Sequence, residues 1–195
     1  TGSAADLKFE PHATLTVTTE DTDKNQLPVR VQVIPKAGPA KFPGSFGVPD
    51  ERNGRLHVAF SMDGTASLVV PPGEHRVVVS RGYEYEIHDE TLTLAAGETK
   101  AVTAVLEHSV DSTGTMCADF HIHSFMSADS SDPIDFKVKG AIADGLDIPV
   151  SSEHEWVVDF GPVVKSLGME KWAFGMASSE LTTFTYGHFG VVPMI

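Results

Sequence analysis

The chain has 195 residues, 41% hydrophobic and 21% charged, close to globular averages and unlike a wholly disordered polypeptide. Its 27 acidic against 14 basic residues give a formal net charge of −13, a field that repels phosphate backbones and anionic lipid and argues against nucleic-acid partners. No apolar run approaches the roughly 18–20 residues that cross a bilayer, and the single Cys117 excludes an internal disulfide or a cysteine-based zinc site.

The first half has period two. Thr14-Leu15-Thr16-Val17-Thr18 and Val29-Arg30-Val31-Gln32-Val33 alternate polar and apolar, which predicts strands. Further strands are expected over residues 55–60, 67–70, 76–80, 84–87, 91–94 and 100–106. Gly38-Pro39, Asn53-Gly54, Asp63-Gly64, Pro71-Pro72-Gly73 and Ala96-Gly97 supply the turns between them. Short strands with no intervening helix predict an N-terminal antiparallel β-sandwich over residues 1–110. His12, His57, His75, His88 and His108 are scattered along it and assemble no site; a glycan-binding role for this half stays open. Val69-Val70-Pro71-Pro72-Gly73-Glu74-His75-Arg76-Val77, followed by Gly82-Tyr83, resembles the carboxypeptidase-regulatory-like or transthyretin-like sandwich. That resemblance implies a module that supports a neighbouring domain and carries no chemistry of its own.

A polar stretch at Asp111–Thr115 breaks this rhythm and sets the expected boundary between residues 1–110 and 111–195. A strand is expected over residues 116–122, with Cys117 a buried structural thiol in it. Ser131-Asp132-Pro133 reads as a helix start, Ile134, Val138, Ala141 and Ile142 recur at helical spacing, and Asp144-Gly145 ends the helix. A buried strand is expected at 146–151, a second helix at 160–167, and strands at 172–178 and 188–194. This order predicts an α/β layer with parallel strands, as in a barrel. Trp156, Trp172, Phe174 and Met176 read as core, or alternatively as a cleft lining.

The polar residues then fall at strand ends: His121 and His123 on the first, Glu153 and His154 on the second, Glu180 after the third. His188 opens the last strand. Residues i and i+2 of a strand share a face, so His121 and His123 can present both imidazoles to one ion, with Asp129 on the following loop. Nitrogen and carboxylate donors together suit Zn, Mn or Fe better than Ca or Mg.

Cys117-Ala118-Asp119-Phe120-His121-Ile122-His123-Ser124 with Ser127-Ala128-Asp129 resembles the opening motif of the polymerase and histidinol phosphatase (PHP) superfamily. Gly145-Leu146-Asp147 leading to Ser151-Ser152-Glu153-His154 is similar to that family's second motif. Glu180-Leu181-Thr182 before Gly187-His188 resembles its carbaryl-hydrolase-like branch. The resemblance implies that residues 111–195 are the first part of a distorted PHP-type (β/α) barrel, holding two or three divalent metal ions. Carried over by position, His121, His123, Asp129, His154, Glu180 and His188 are the implied ligands, with Glu180 bridging two ions. The implied activity is hydrolysis of a small-molecule phosphoester or carbamate/carboxyl ester by metal-activated water, with Glu180 and Glu153 as catalytic carboxylates. Glu153 stands where the family has aspartate, so it reads as either a ligand or a support to one. Asp119 and Glu155 read as supporting or solvated acids.

Residues 111–195 supply about three β/α units where a closed barrel takes around 200 residues or more. The chain is therefore expected to be the N-terminal portion of a longer enzyme, completed by its own C-terminal part or by another chain. The rival reading is a non-catalytic extracytoplasmic binding or scaffold protein with a structural metal site. An acidic surface and one cysteine fit a bacterial secreted or periplasmic protein, and fit a cytoplasmic one as well. No G-x-S-x-G elbow or phosphate-loop signature is present.

Overall fold

The computed structural model describes residues 11–37 and 58–194. The turns at Gly38-Pro39 and Asn53-Gly54, His57 and the start of the 55–60 strand lie outside the described residues.

Strand β1 (Ala13–Asp21) buries Ala13, Leu15, Val17 and Thr19 completely while the residues between them face outward. It is the middle strand of a three-stranded sheet, flanked by β4 (Thr65–Val70) and β7 (Thr99–Leu106). A second sheet has the order β3 (Val58–Ser61), β2 (Val29–Pro35), β5 (Gly73–Ser80), β6 (His88–Leu94). Alternate residues of both sheets share one core, which includes Leu15, Leu27, Val31, Val79, Leu94 and Leu106. Each such side chain contributes about 1.5–3 kcal/mol when fully buried. This half is a β-sandwich.

Two details differ from the expected sandwich. β1 and β7 pair in parallel, Thr14 opposite Thr99 through Asp21 opposite Leu106, so the fold is not wholly antiparallel. The chain reaches β7 only after visiting the other sheet, and that long excursion frees it from the antiparallel constraint a tight hairpin imposes. Residues 84–87 form no strand of their own; Tyr85 makes one isolated bridge to His108, and β6 begins at His88.

Beyond the sandwich, β8 (Ala118–Ile122), α1 (Ile134–Ala143) and β9 (Ile148–Ser151) form a parallel β-α-β unit. Pro133 occupies the cap of α1 with no side-chain capping bond, and Asp132 pairs with Lys137 at 3.0 Å. Then come β10 (Val158–Asp159), the short α2 (Gly161–Ser166), β11 (Ala177–Thr183) and β12 (Gly187–Val191). A second core gathers Val138, Ile142, Phe160, Val164, Met169 and Ala173.

The expected α/β barrel is not there. The described residues hold twelve strands and only two helices, of ten and six residues. Parallel pairing beyond the sandwich and the β8–β9 pair is limited to single bridges, among them Val150 to Met176 and His154 to Glu180. β10, β11 and β12 are antiparallel. The reason is the turn at residues 184–186: a connection this short makes a hairpin, whereas a parallel crossover takes a dozen residues or more.

The two parts meet at a clasp. Arg81 is buried, donates from Nη1 to the carbonyls of Pro28 (2.8 Å) and Ile142 (3.1 Å), and stacks on Trp172 with its guanidinium carbon 4.3 Å from the ring centroid. Gly82 follows in the left-handed region, φ +59°, and a Cβ there would stand 2.3 Å from the Asp144 carbonyl oxygen. Only glycine permits that approach. Phe60 of β3 meets Phe136 of α1 edge-on at 5.1 Å between ring centroids. Trp172 packs against both cores, whereas Trp156 and Phe174, read from sequence as core, are more than half exposed.

Candidate metal centre

β8 ends in a register irregularity between Asp119 and Ile122. Irregularities of this kind re-aim side chains at the ends of strands. Here it leaves His121 and His123 tilted against each other, 5.0 Å between ring centroids. The loop after β9 supplies His154, bridged to Glu180 of β11, and the β11–β12 hairpin places His188 opposite Thr182. Asp129 comes from the loop between β8 and α1. All six implied ligands therefore meet, although they are drawn from five segments.

Glu180 is the hub. Its side chain is only 4% exposed, and four imidazoles surround it. Oε1 lies 2.9 Å from His188 Nδ1, and Oε2 lies 3.2 Å from His123 Nε2, 3.4 Å from His121 Nε2 and 3.5 Å from His154 Nδ1. Oε2 has no hydrogen-bond partner among the described residues. Asp129 spans the other side, 3.3 Å from His154 Nε2 and 3.7 Å from His123 Nδ1. Burial opposes the charge of Asp129, but His123 and a hydrogen bond with His154 outweigh it and hold the carboxyl below the usual range. Three ligand triads result, each pair sharing one residue: His121, His123 and Glu180; His123, Asp129 and His154; His154, Glu180 and His188.

The surrounding hydroxyls orient the histidine rings. Glu153 is fully buried; it accepts the Ser124 backbone N–H (2.8 Å) and the Ser124 hydroxyl at Oε1, and the Ser127 hydroxyl (2.6 Å) at Oε2. Ser127 Oγ has thus spent its proton and can only accept, from the His154 backbone N–H (3.0 Å) and from His123 Nδ1 (3.2 Å). The Thr182 hydroxyl lies 2.6 Å from His154 Nδ1 and 3.4 Å from the Glu180 carbonyl, and so holds that ring in place. Neutral His123 keeps its lone pair on Nε2, 3.2 Å from Glu180 Oε2 and 3.5 Å from the Ser152 hydroxyl, and His154 Nε2 lies within hydrogen-bond reach of Asp129 Oδ2 at 3.3 Å.

A ring nitrogen and a carboxylate oxygen at this spacing have something positive between them, a proton or a metal ion. Two bonds of about 2.0–2.1 Å meeting near the tetrahedral angle span about 3.3–3.4 Å, which is the spacing these N and O atoms show. The residues present fit a divalent cation, and Zn, Mn or Fe suits the donor set.

Glu153 belongs to none of the triads. Its oxygens are taken by Ser124 and Ser127, so it holds the ligands in place and does not face the cluster, as a catalytic carboxylate would. Sequence reasoning quoted Ser124, Ser127 and Thr182 within motifs but gave them no role, since a hydroxyl with a partner 26 or more residues away leaves no local pattern. Glu155, the residue after His154, has φ +59° and accepts the Thr182 backbone N–H at 2.5 Å, which ties the loop to β11. The sandwich histidines join no such group among the described residues: His75 is buried beside the Pro71 carbonyl, His88 pairs with Glu90, and His108 stacks on Tyr85. Burial raises the Cys117 thiol above its usual range, so it is poorly reactive.

Ser127→Ala removes the acceptor that orients His123 and one of the donors to Glu153. Zinc affinity measured by calorimetry is expected to fall about 10–100-fold, the usual cost of losing an outer partner of a metal ligand, with all six ligands still present.

No family model and no curated protein matches the chain. Solved structures similar to it include the Bacillus anthracis TIE protein, at 16% identity and a TM-score of 0.37 over 51% of this chain and 17% of that one. Another is GBS52, the minor pilin of the Gram-positive pathogen Streptococcus agalactiae, at 16% identity and 0.38 over 51% and 45%. A third is BcpA, the major pilin subunit of Bacillus cereus, at 12% identity and 0.38 over 51% and 31%. The likeness spans less than half the length of each of these proteins.

These findings correct the family reading. The PHP resemblance, including its carbaryl-hydrolase-like branch, rested on short motifs that no family model supports. The barrel it implied is absent from the described residues. The assignment as an ester hydrolase or phosphoesterase took its chemistry from that family and falls with it. Among the described residues no helix is long and apolar enough to cross a membrane.

Proposed function

We propose that the chain is a non-catalytic, extracytoplasmic binding or scaffold protein in which a β-sandwich carries a structural site for two or three divalent ions, Zn, Mn or Fe. His121, His123, Asp129, His154, Glu180 and His188 are the ligands. The observation that carries this reading is the buried Glu180 carboxylate, encircled by four imidazoles, with no hydrogen-bond partner for Oε2 among the described residues.

The need for metal follows from the packing. The second core consists of a handful of side chains, far fewer than the sandwich core. Small units of this kind are commonly stapled by a metal. Ions held between β8, the loops after β8 and β9, β11 and β12 cross-link segments up to 67 positions apart in the sequence numbering, from His121 to His188. Binding to the folded form alone stabilises it, by about 2.7 kcal/mol at a free ion concentration 100 times the dissociation constant.

Hydrogen exchange on the chain stripped with chelator and then reloaded with zinc tests the proposal. The expected result is protection gained at residues 118–123, 150–156 and 177–191, little change in the sandwich, and two or three ions bound by elemental analysis. Exchange identical with and without zinc, or no bound ion, overturns it.

A further inference from the structure

Strand β12 ends its sheet, and each of its five residues is exposed. The apolar side chains around it are also open to solvent: Leu181, Phe184, Tyr186, Phe189 and Val191. From Leu181 to Met194 there is no Asp, Glu, Lys or Arg, in a chain of net charge −13. Most other edges among the described residues are guarded. β6 carries Asp89 and Glu90, β7 carries Lys100, β10 carries Asp159, and β4 runs into Pro71-Pro72; β3 has neither charge nor proline, but its Phe60 packs on Phe136 of α1. Charges and prolines are the ordinary means by which edge strands avoid pairing with other chains. β12 has neither within the strand, and Pro193 comes two residues after it.

The sequence of β12 fits itself. In an antiparallel pair with the same strand of a second copy, centred on Phe189, Val191 stands opposite Gly187 and His188 opposite Gly190. Phe189 stands opposite its own counterpart. Each bulky flanking residue meets a glycine, the central pair is aromatic, and no like charges face each other. Such a contact is isologous, closes on itself, and joins two three-stranded sheets into one of six. Acidic surfaces elsewhere repel a second copy, so the uncharged strip is also where association costs least.

We infer that β12 is a self-association edge through which two copies of this chain pair antiparallel about Phe189. The inference does not depend on metal binding, because it uses the outer edge of β12 and not the face that carries Glu180.

Sedimentation velocity on the full chain, from about 1 to roughly 200 µM, is expected to show a concentration-dependent dimer with a dissociation constant in the micromolar range. Phe189→Lys sets two ammonium groups opposite each other and returns the protein to monomer. Phe184→Lys, on the turn outside the strand, leaves the dimer intact. Register is read by cross-linking in a Cys117→Ser background. Directly opposed residues lie about 4.5–5.5 Å apart, within disulfide reach, so Phe189→Cys forms an intermolecular disulfide. Val191→Cys alone does not, because its partner is Gly187. A monomer throughout the range, equal loss of dimer in the two lysine variants, or equal cross-linking at 189 and 191 overturns the inference. A cooperative melting transition retained by Phe189→Lys in the metal-free protein shows that the variant is folded.

Discussion

Glu180→Gln is expected to abolish most divalent-ion binding while leaving the metal-free protein as stable as before, or more so. The substitution keeps the side chain's shape and removes its charge. Glu180 belongs to two of the three ligand triads, so ions held by those two should be lost. Affinity at the lost positions should fall at least about 100-fold, which is roughly 2.7 kcal/mol of the stabilisation zinc confers. The metal-free form pays no comparable penalty. A carboxylate buried without a donor to Oε2 is costly, and an amide at that position can donate to a neighbouring imidazole. The rival account makes Glu180 the centre of a cluster of protonated histidines. Removing the anion then strips the exposed His121 and His188 and the half-buried His123 and His154 of their partner, a loss of stability with no dependence on zinc. Paired melting curves with chelator and with zinc separate the two. A large loss in chelator with an unchanged zinc shift sinks the metal site.

Arg81→Ala is expected to destabilise the protein by about 3–5 kcal/mol, since two charge-assisted hydrogen bonds at about 1.5–3 kcal/mol each are lost. The Pro28 carbonyl then loses its Arg81 donor at the interface, and the Ile142 carbonyl keeps only the Gly145 N–H. A gap also opens beside Trp172, whose indole face the guanidinium covers. Burial lowers the guanidinium below its usual range, although Tyr85, Glu84 and Asp147 pull the other way. The group tolerates that cost because it ties the sandwich to the end of α1. For a chain of this length the change corresponds to a melting temperature lower by roughly 6–20 °C. Arg81→Lys should recover only part of it, because a single ammonium cannot stack on the indole while meeting both carbonyls. A loss under 1 kcal/mol in the alanine variant, measured by denaturant unfolding, would mean that the two parts do not depend on this clasp.

Both positions show where sequence reasoning succeeds and where it stops. Glu180 is visible because histidines and acids sit at the ends of expected strands, and the local order of the chain keeps strand ends together. Arg81 carries no such mark. It precedes Gly82-Tyr83, and its partners are 53 and 61 residues away. Nothing in the neighbouring residues records that a cation there will be covered by Trp172. The family reading failed for a related reason. Short motifs specify donors and spacing, and the same donors can be assembled on more than one arrangement of strands.

What the amino-acid sequence determined by itself is the alternation of Leu15, Val17, Val31, Val33, Val77 and Val79, and hence which side of each strand is buried. It also determined the supply of imidazoles and carboxylates. Period-two patterning reflects burial of one face and says nothing about which strand lies alongside. The tertiary structure alone decided that β1 and β7 run parallel, that β11 turns straight back into β12, and that Ser127 and Thr182 hold the rings of His123 and His154. Those outcomes depend on contacts between residues distant in the chain. Their free energy is shared between both partners and leaves no trace in the residues flanking either one.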